Sequence, residues 1–124
     1  MFEVNVFGTM FCTKAAVSEM KKRSKGLIIN IASTAALDFK LHQLTYGATK
    51  HAVLGFTGSL YEELKNTGIK SICFCPGGMK TNLYRRKIEN LKHEFMDPEF
   101  VANYLIEQIE TDNPEWLIVL RRPV

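Results

Sequence analysis

The 124-residue sequence lacks the features that would place it in a specialised class of protein. No segment reaches the roughly eighteen consecutive apolar residues of a membrane-spanning helix, so we expect no membrane insertion. The first residues lack a basic region followed by an apolar run and a small-residue cleavage site, so no secretory signal is expected. Internal repeats and low-complexity tracts are also missing. Apolar residues make up 46% and charged residues 23% of the chain, which predicts one globular domain or part of one.

Cysteine is scarce and odd in number, with Cys12, Cys73 and Cys75 in mostly apolar surroundings. This predicts free thiols in a reducing compartment rather than a disulfide framework, and we therefore expect a cytoplasmic protein. The chain has no CxxC pair and no paired histidine spacing, so we expect no metal site. Cys73 and Cys75 fall in an apolar run, where thiols usually act as small hydrophobic side chains.

Neither sign of charge is in large excess, since the formal net charge is +3. The basic residues at 21–25 are expected at the end of a helix, where cations complement the helix dipole. The basic residues at 85–87 are expected on a solvated face. Aromatic residues are not interleaved with either group, so a nucleic-acid partner is not predicted.

Apolar periodicity predicts helices and strands that alternate along the chain. The predicted elements are a helix over 2–23, a strand over 27–32, a helix over about 46–66, a strand over 69–75, a helix over about 98–110 and a strand over 116–120. The continuous apolar run at 27–32 predicts a strand buried on both faces, and Asp97 and Pro98 provide an N-cap acid and a first-turn proline. Strand–helix–strand units imply parallel pairing, which predicts an open α/β sheet.

Polar residues cluster at the predicted carboxyl edge of this sheet, where ligands bind in open α/β sheets. Ser33 follows the first strand, Pro76 begins the turn after the second, and the helix between them starts with Tyr46 and Lys50. The spacing of four places phenol and ammonium on one helix face, where the positive charge favours the phenolate. Such a phenol can exchange a proton with a substrate oxygen, and Ser33 can hold that oxygen. The set suits the interconversion of a carbonyl and an alcohol, which requires a nicotinamide cofactor as hydride source.

Each of these residues also has a purely structural interpretation. Tyrosine and lysine four residues apart occur by chance on many helices. Ser33 would serve equally as a turn or helix cap, and Asn5 as an ordinary polar residue of the first helix. Single residues taken one at a time do not decide between the two interpretations.

Four motifs, in order, resemble the classical short-chain dehydrogenase/reductase family over essentially residues 1–124. The motifs are VNVFGTM with Asn5, INIAST with Ser33, YGATK with Tyr46 and Lys50, and PGGMKT from Pro76 to Thr81. The resemblance implies an NAD(P)-dependent oxidoreductase that acts on a small-molecule carbonyl or alcohol. It implies that Tyr46 is the general acid/base and that Ser33 polarises the carbonyl. Lys50 would favour the phenolate and bind the nicotinamide ribose.

The remaining implied roles concern a proton path, the cofactor and the substrate. Asn5 would hold a water that links Lys50 to solvent, and residues 82–96, with Leu83 and Tyr84, would form the variable substrate loop. That segment is equally compatible with a surface loop that does not contact substrate. The residues implied to line the cofactor are Tyr46, Lys50, Pro76, Gly77, Gly78 and Thr81.

Small residues recur along one face of the 46–66 helix, at Ala48, Ala52, Gly55 and Ser59. Small side chains allow two helices to approach closely, and the resemblance implies a homo-dimer or tetramer built through the helices at 2–23 and 46–66. Close packing within one chain accounts for the same residues, and the sequence does not separate the two.

The glycine-rich turn that holds dinucleotide phosphates at a helix N-terminus does not occur in the sequence. The resemblance therefore implies the C-terminal half of a Rossmann-like doubly wound parallel sheet, with about three strands and three to four helices and without the N-terminal half. We expect such a chain, on its own, to bind NAD or NADP weakly or not at all. The unpaired edge of the 27–32 strand is expected to promote association. The alternative to an enzyme is a truncated, catalytically inactive fragment that acts at most as an association module.

Overall fold

The computed structural model describes residues 1–81, 83 and 95–123. A π-helical segment at Glu3–Gly8 runs directly into helix α1, Thr9–Arg23. The remaining elements are strand β1 (Gly26–Ile31), a 3-10 turn (Thr34–Ala36), helix α2 (Leu44–Glu63), strand β2 (Ile69–Pro76), helix α3 (Pro98–Ile109) and strand β3 (Leu117–Leu120). Within these ranges no helix is long and apolar enough to cross a membrane. Tyr84 and most of the predicted substrate loop at 82–96 lie outside the described residues.

The three strands form one parallel sheet in the order β1–β2–β3, which confirms the predicted α/β fold. Asn30 of β1 lies opposite Cys73 of β2, and Cys73 lies opposite Leu117 of β3. Since the strands are parallel, their carboxyl ends meet at one edge of the sheet. The residues that follow β1, β2 and β3 therefore come together at that edge.

Helix α2 begins and ends slightly earlier than the sequence predicts. It runs from Leu44 to Glu63 rather than from Tyr46 to Asn66. The backbone of Asn66 has a φ of 65° and that of Gly68 a φ of 78°, and residues in this left-handed region end a right-handed helix. The chain then turns directly into β2.

Helices α1 and α2 cover one face of the sheet. On this face Cys73 and Cys75 are buried against Val53 of α2, and Ile28 of β1 packs on Met20 of α1. The two thiols therefore act as small core side chains, as the sequence predicts.

In the part of the chain that the structure describes, α3 covers the other face of the sheet over β2 and β3. Ile72 of β2 and Ile118 of β3 pack there with Val101 of α3. Leu27 and Ile31 of β1, on the same face, are 40% and 47% exposed. The prediction that the 27–32 strand is buried on both faces is therefore wrong, because the described residues leave Leu27 and Ile31 partly exposed on this face.

Helix α3 begins as predicted, but its N-terminal acid is used differently. Asp97 occupies the N-cap position with an extended backbone and Pro98 is the first helical residue, yet Asp97 forms no capping hydrogen bond through its side chain. Its carboxylate instead lies 3.3 Å from the Lys80 ammonium. The predicted N-cap position is thus confirmed, whereas its carboxylate pairs with a lysine after β2.

Gly68 lies in the turn between α2 and β2, and we expect its replacement to destabilise the fold. An alanine there would be held at a φ of 78°, and its Cβ would collide with the Ser24 carbonyl oxygen. Gly68→Ala should therefore lower the free energy of unfolding by at least about 1–2 kcal/mol. In contrast, no heavy atom lies within 4 Å of a Cβ built on Gly55 in α2, so Gly55→Ala should raise it by about 0.5–1 kcal/mol. Urea unfolding followed by circular dichroism measures both; equal stability of the two variants would contradict this account.

The exposed apolar side of β1 should make the 124-residue chain associate with itself. The outer edge of β1 has no strand partner among the described residues, and such edges pair with other chains. We expect sedimentation velocity to show association that grows with concentration and that Leu27→Glu reduces. Ile106→Glu on α3, at a site that is 46% exposed, is the control and should not reduce it. Association that Leu27→Glu leaves unchanged would exclude β1 as the contact.

Candidate active site

Tyr46 and Lys50 lie in the first turns of α2 and are both half-buried. The Lys50 Nζ atom is 5.7 Å from the centroid of the Tyr46 ring. The two side chains are therefore neighbours on one helix face, where the ammonium acts on the ring through space.

The Lys50 ammonium is also attached to the carboxyl end of β1. Its Nζ donates a hydrogen bond to the Ile31 carbonyl oxygen at 3.2 Å. Burial lowers the pKa of Lys50 from its ordinary value, while the sulfur atoms of Cys73 and Cys75 act in the opposite direction. An ammonium has three N–H donors, so Lys50 retains hydrogen-bonding capacity toward a ligand at this edge.

Ser33 lies just after β1 and serves as the N-cap of the 3-10 turn. Its Oγ accepts a hydrogen bond from the Ala35 N–H at 3.1 Å, so the structural interpretation of Ser33 as a cap is correct. This bond uses a lone pair, and a hydroxyl that accepts can still donate its own proton. A Cβ built on Gly47 would lie 3.9 Å from the Ala35 carbonyl oxygen, so the first turn of α2 packs on the turn that Ser33 caps.

Asn5 lies in the π-helical segment and bonds to the same part of α2. Its Nδ2 donates to the Thr49 Oγ1 at 3.2 Å, and the Thr49 hydroxyl donates to the Tyr46 carbonyl oxygen at 2.7 Å. Asn5 therefore contacts the Tyr46–Lys50 turn through Thr49. The sequence reasoning missed Thr49. Its signal is a threonine three residues after Tyr46, a spacing at which a hydroxyl can bond back to a helix carbonyl.

The turn after β2 lies at the same edge of the sheet. The Gly77 N–H donates to the Leu120 carbonyl oxygen at 2.7 Å, and the Met96 N–H donates to the Gly78 carbonyl oxygen at 3.1 Å. A Cβ on Gly78 would approach the Phe95 ring to 2.8 Å. The Phe95 ring therefore accounts for the absence of a side chain at Gly78. Thr81 follows it and is exposed.

An ion pair that the sequence reasoning missed spans the edge from β1 to β3. The two terminal guanidinium nitrogens of Arg121 donate hydrogen bonds to the Asp38 carboxylate, at 2.7 and 3.4 Å. The hydrogen bond from Arg121 lowers the pKa of Asp38. Arg121 directly follows β3 and Asp38 lies in the loop after β1. The sequence could therefore have indicated that both residues lie at the carboxyl edge of the sheet.

Apolar side chains flank the start of α2. Phe39 and Leu44 are 96% and 86% exposed, and Phe39 stacks on the His51 ring with the ring centroids 5.6 Å apart. Together with Gly47 and Ala48 these residues line a groove of about 390 Å³. Of the predicted substrate loop, the described Leu83 is exposed.

The predicted site residues thus fall into two groups at one edge of the sheet. Tyr46, Lys50, Asn5 and the turn capped by Ser33 converge around the first turns of α2. The Pro76–Thr81 segment lies beside them, at the end of the neighbouring strand β2.

Comparison with known proteins bears on this arrangement. The family model for short chain dehydrogenase matches residues 1–92. Diacetyl reductase [(S)-acetoin forming] from Staphylococcus epidermidis is 41% identical over 92 residues, which cover 73% of this chain and 36% of that protein. Human estradiol 17-beta-dehydrogenase 11 is 34% identical over 114 residues, which cover 90% of this chain and 38% of that protein.

Solved structures agree with the sequence comparison. A short-chain dehydrogenase from Streptomyces avermitilis superposes with a TM-score of 0.83 at 26% identity, over 97% of this chain and 50% of that one. ElxO with NADP bound superposes with a TM-score of 0.78 at 27% identity, over 94% of this chain and 53% of that one. The chain therefore spans little more than a third of the length of these curated relatives and about half of these solved chains. Because the family model covers most of the chain and the relatives share its sequence as well as its fold, the chain belongs to the short chain dehydrogenase family.

Proposed function

We propose that residues 1–124 are the C-terminal catalytic half of an NAD(P)-dependent oxidoreductase that interconverts a carbonyl and an alcohol by hydride transfer. The observation that carries the proposal is the attachment of Lys50 to the end of β1. It holds an ammonium beside the Tyr46 ring and next to the turn capped by Ser33. A phenol, an ammonium and a hydroxyl at one sheet edge can exchange a proton with a substrate oxygen and hold that oxygen in place.

Each side chain takes a separate role in this proposal. Tyr46 is the general acid/base, and the Lys50 ammonium is the positive charge that lies beside its ring. Ser33 donates a hydrogen bond from its hydroxyl to the carbonyl oxygen of the substrate and so polarises the carbonyl. Asn5, held on Thr49 at the back of the same turn, belongs to the path that links Lys50 to solvent.

The donor groups at this edge fit the nicotinamide end of NAD or NADP. The Lys50 ammonium and the exposed Thr81 hydroxyl are suited to ribose hydroxyls and to polar groups of the cofactor. Together with Tyr46 and the backbone of Pro76–Gly78, they would hold that end, where the cofactor supplies the hydride. Phosphate binding at a glycine-rich turn is assigned to an N-terminal half of the domain.

The relatives support a reaction class without fixing a substrate. One is named for the reduction of diacetyl and another for the dehydrogenation of estradiol, molecules of very different size. We assign a small-molecule carbonyl or alcohol to this protein, with Phe39 and Leu44 near the start of α2 favouring a partly apolar one. The free thiols of all three cysteines suit the cytoplasm as its location.

Self-assembly through α1 and α2 is part of the proposal. A groove of about 570 Å³ on these helices is lined largely by apolar residues that include Met10, Val17, Phe56 and Leu60. Phe11 at its rim is 70% exposed, and apolar patches of this kind favour docking of another protein surface. The same surface favours the second candidate function, a catalytically inactive fragment that only associates with partners.

Replacing Tyr46 by phenylalanine should separate chemistry from binding in the full-length protein. Tyr46→Phe removes the proton donor and keeps the ring, so kcat for NAD(P)H-dependent carbonyl reduction should fall by about 10²–10⁴-fold. Cofactor binding, measured by fluorescence titration, should persist. Tyr61→Phe is the matched control, since Tyr61 lies on the same helix but stacks on Trp116 with ring centroids 5.7 Å apart. Turnover that survives Tyr46→Phe would remove Tyr46 from its role.

Cofactor affinity should depend on the N-terminal half of the domain. The 124-residue chain offers contacts for the nicotinamide end only, so NAD(P)H should not saturate it at concentrations that saturate the full-length protein. Isothermal titration of the two proteins makes the comparison. Tight binding by the 124-residue chain would show that the division of the site proposed here is wrong.

A further inference from the structure

Thr49 is a fully buried residue of α2 whose hydroxyl bonds to two partners near the candidate site. It is 0% exposed. Its Oγ1 donates to the Tyr46 carbonyl oxygen at 2.7 Å and accepts from the Asn5 Nδ2 at 3.2 Å. The hydroxyl thus joins a side chain of the π-helical segment to the main chain of Tyr46.

Asn5 is itself held in place, so the contact can transmit position. It lies within the π-helical segment Glu3–Gly8, and its carbonyl oxygen accepts a hydrogen bond from the Thr9 Oγ1 at 2.8 Å. Single π-helical turns often occur at functional sites. Here the segment places the Asn5 side-chain amide against Thr49, three residues after Tyr46 on α2.

The turn of α2 that carries Tyr46 needs such a support. Gln43 at its N-cap makes no capping hydrogen bond through its side chain, and uncapped first turns fray. The turn is held by the bond from Lys50 to Ile31 and by the packing of Gly47 on Ala35. The π-helical segment also contacts this turn, and Asn5 of that segment donates a hydrogen bond to Thr49.

We propose that Thr49 is a positioning residue, through which Asn5 fixes the backbone of Tyr46 and thereby the phenol relative to Lys50 and Ser33. The inference rests on the proposed function of Tyr46 and adds to it a route by which Asn5 acts. Loss of the hydroxyl lets the first turn of α2 shift, and displacements of about 1 Å in a reacting group can cost about 10²-fold in rate.

The chain contains a matched control for this contact at Thr57. Thr57 is also 0% exposed, its Oγ1 donates to the Val53 carbonyl oxygen at 2.7 Å, and it accepts from the Asn30 Nδ2 at 3.1 Å. The two threonines make the same pair of bonds on the same helix, but Thr57 lies two helical turns further from Tyr46. Both valine variants lose a buried hydroxyl. A difference in kcat between them therefore reports the effect of the contact near Tyr46.

The first experiment compares steady-state kinetics of the full-length protein and its variants. Thr49→Val should lower kcat by roughly 10- to 100-fold with little change in KM, and Thr49→Ser, which keeps the hydroxyl, should restore it. Thr57→Val should lower the melting temperature to a similar extent and leave kcat close to wild type. Equal effects of Thr49→Val and Thr57→Val on kcat would overturn the proposal.

The second experiment does not depend on turnover. Nuclear magnetic resonance of the same proteins follows the Asn5 side-chain amide and the Tyr46 ring. Thr49→Val should shift both signals, Thr49→Ser should return them, and Thr57→Val should leave both in place. An unmoved Tyr46 ring in Thr49→Val would refute positioning. Shifted signals in a protein whose wild type has no NAD(P)H-dependent activity would refute the proposed function and retain the positioning contact.

Discussion

The hydrogen bond from the Lys50 ammonium to the Ile31 carbonyl oxygen, at 3.2 Å, is the contact on which the candidate site depends. It ties the start of α2 to the last residue of β1, close to the turn that Ser33 caps. The Lys50 side chain is half-buried, and this burial lowers its pKa. A half-buried charge acts more strongly on its neighbours than one in bulk water. Lys50 therefore both attaches α2 to β1 and places a positive charge beside the Tyr46 ring.

Most of the fold could be predicted because its signals are local or topological. Apolar periods separate the helices from the strands, and strand–helix–strand units imply parallel pairing. The exposure of Leu27 and Ile31 could not be predicted in the same way. An apolar run shows that a strand suits a buried environment, but not which element covers it. Among the described residues, α3 packs on β2 and β3.

In the candidate site, too, local contacts could be predicted from the sequence and long-range contacts could not. Tyr46 and Lys50 are four residues apart on one helix, so their proximity follows from helical geometry. The bond between Asn5 and Thr49 and that between Asp38 and Arg121 join residues 44 and 83 positions apart. Such bonds depend on how α2 sits against the π-helical segment and on how neighbouring loops meet. No local pattern encodes that placement, although the edge at which these residues gather could be deduced.

Two asparagine–threonine pairs, each with a threonine that is 0% exposed, explain how α2 holds one placement. Thr49 and Thr57 each satisfy their donor on a carbonyl of their own helix, which leaves a lone pair for Asn5 and Asn30 respectively. The pairs attach α2 to different elements, one to the π-helical segment and one to β1. A slide or rotation of α2 would break both at once and leave buried polar groups unpaired, which is costly. Tyr46 can therefore lie half-buried at the open edge of the sheet and still take its position from the core.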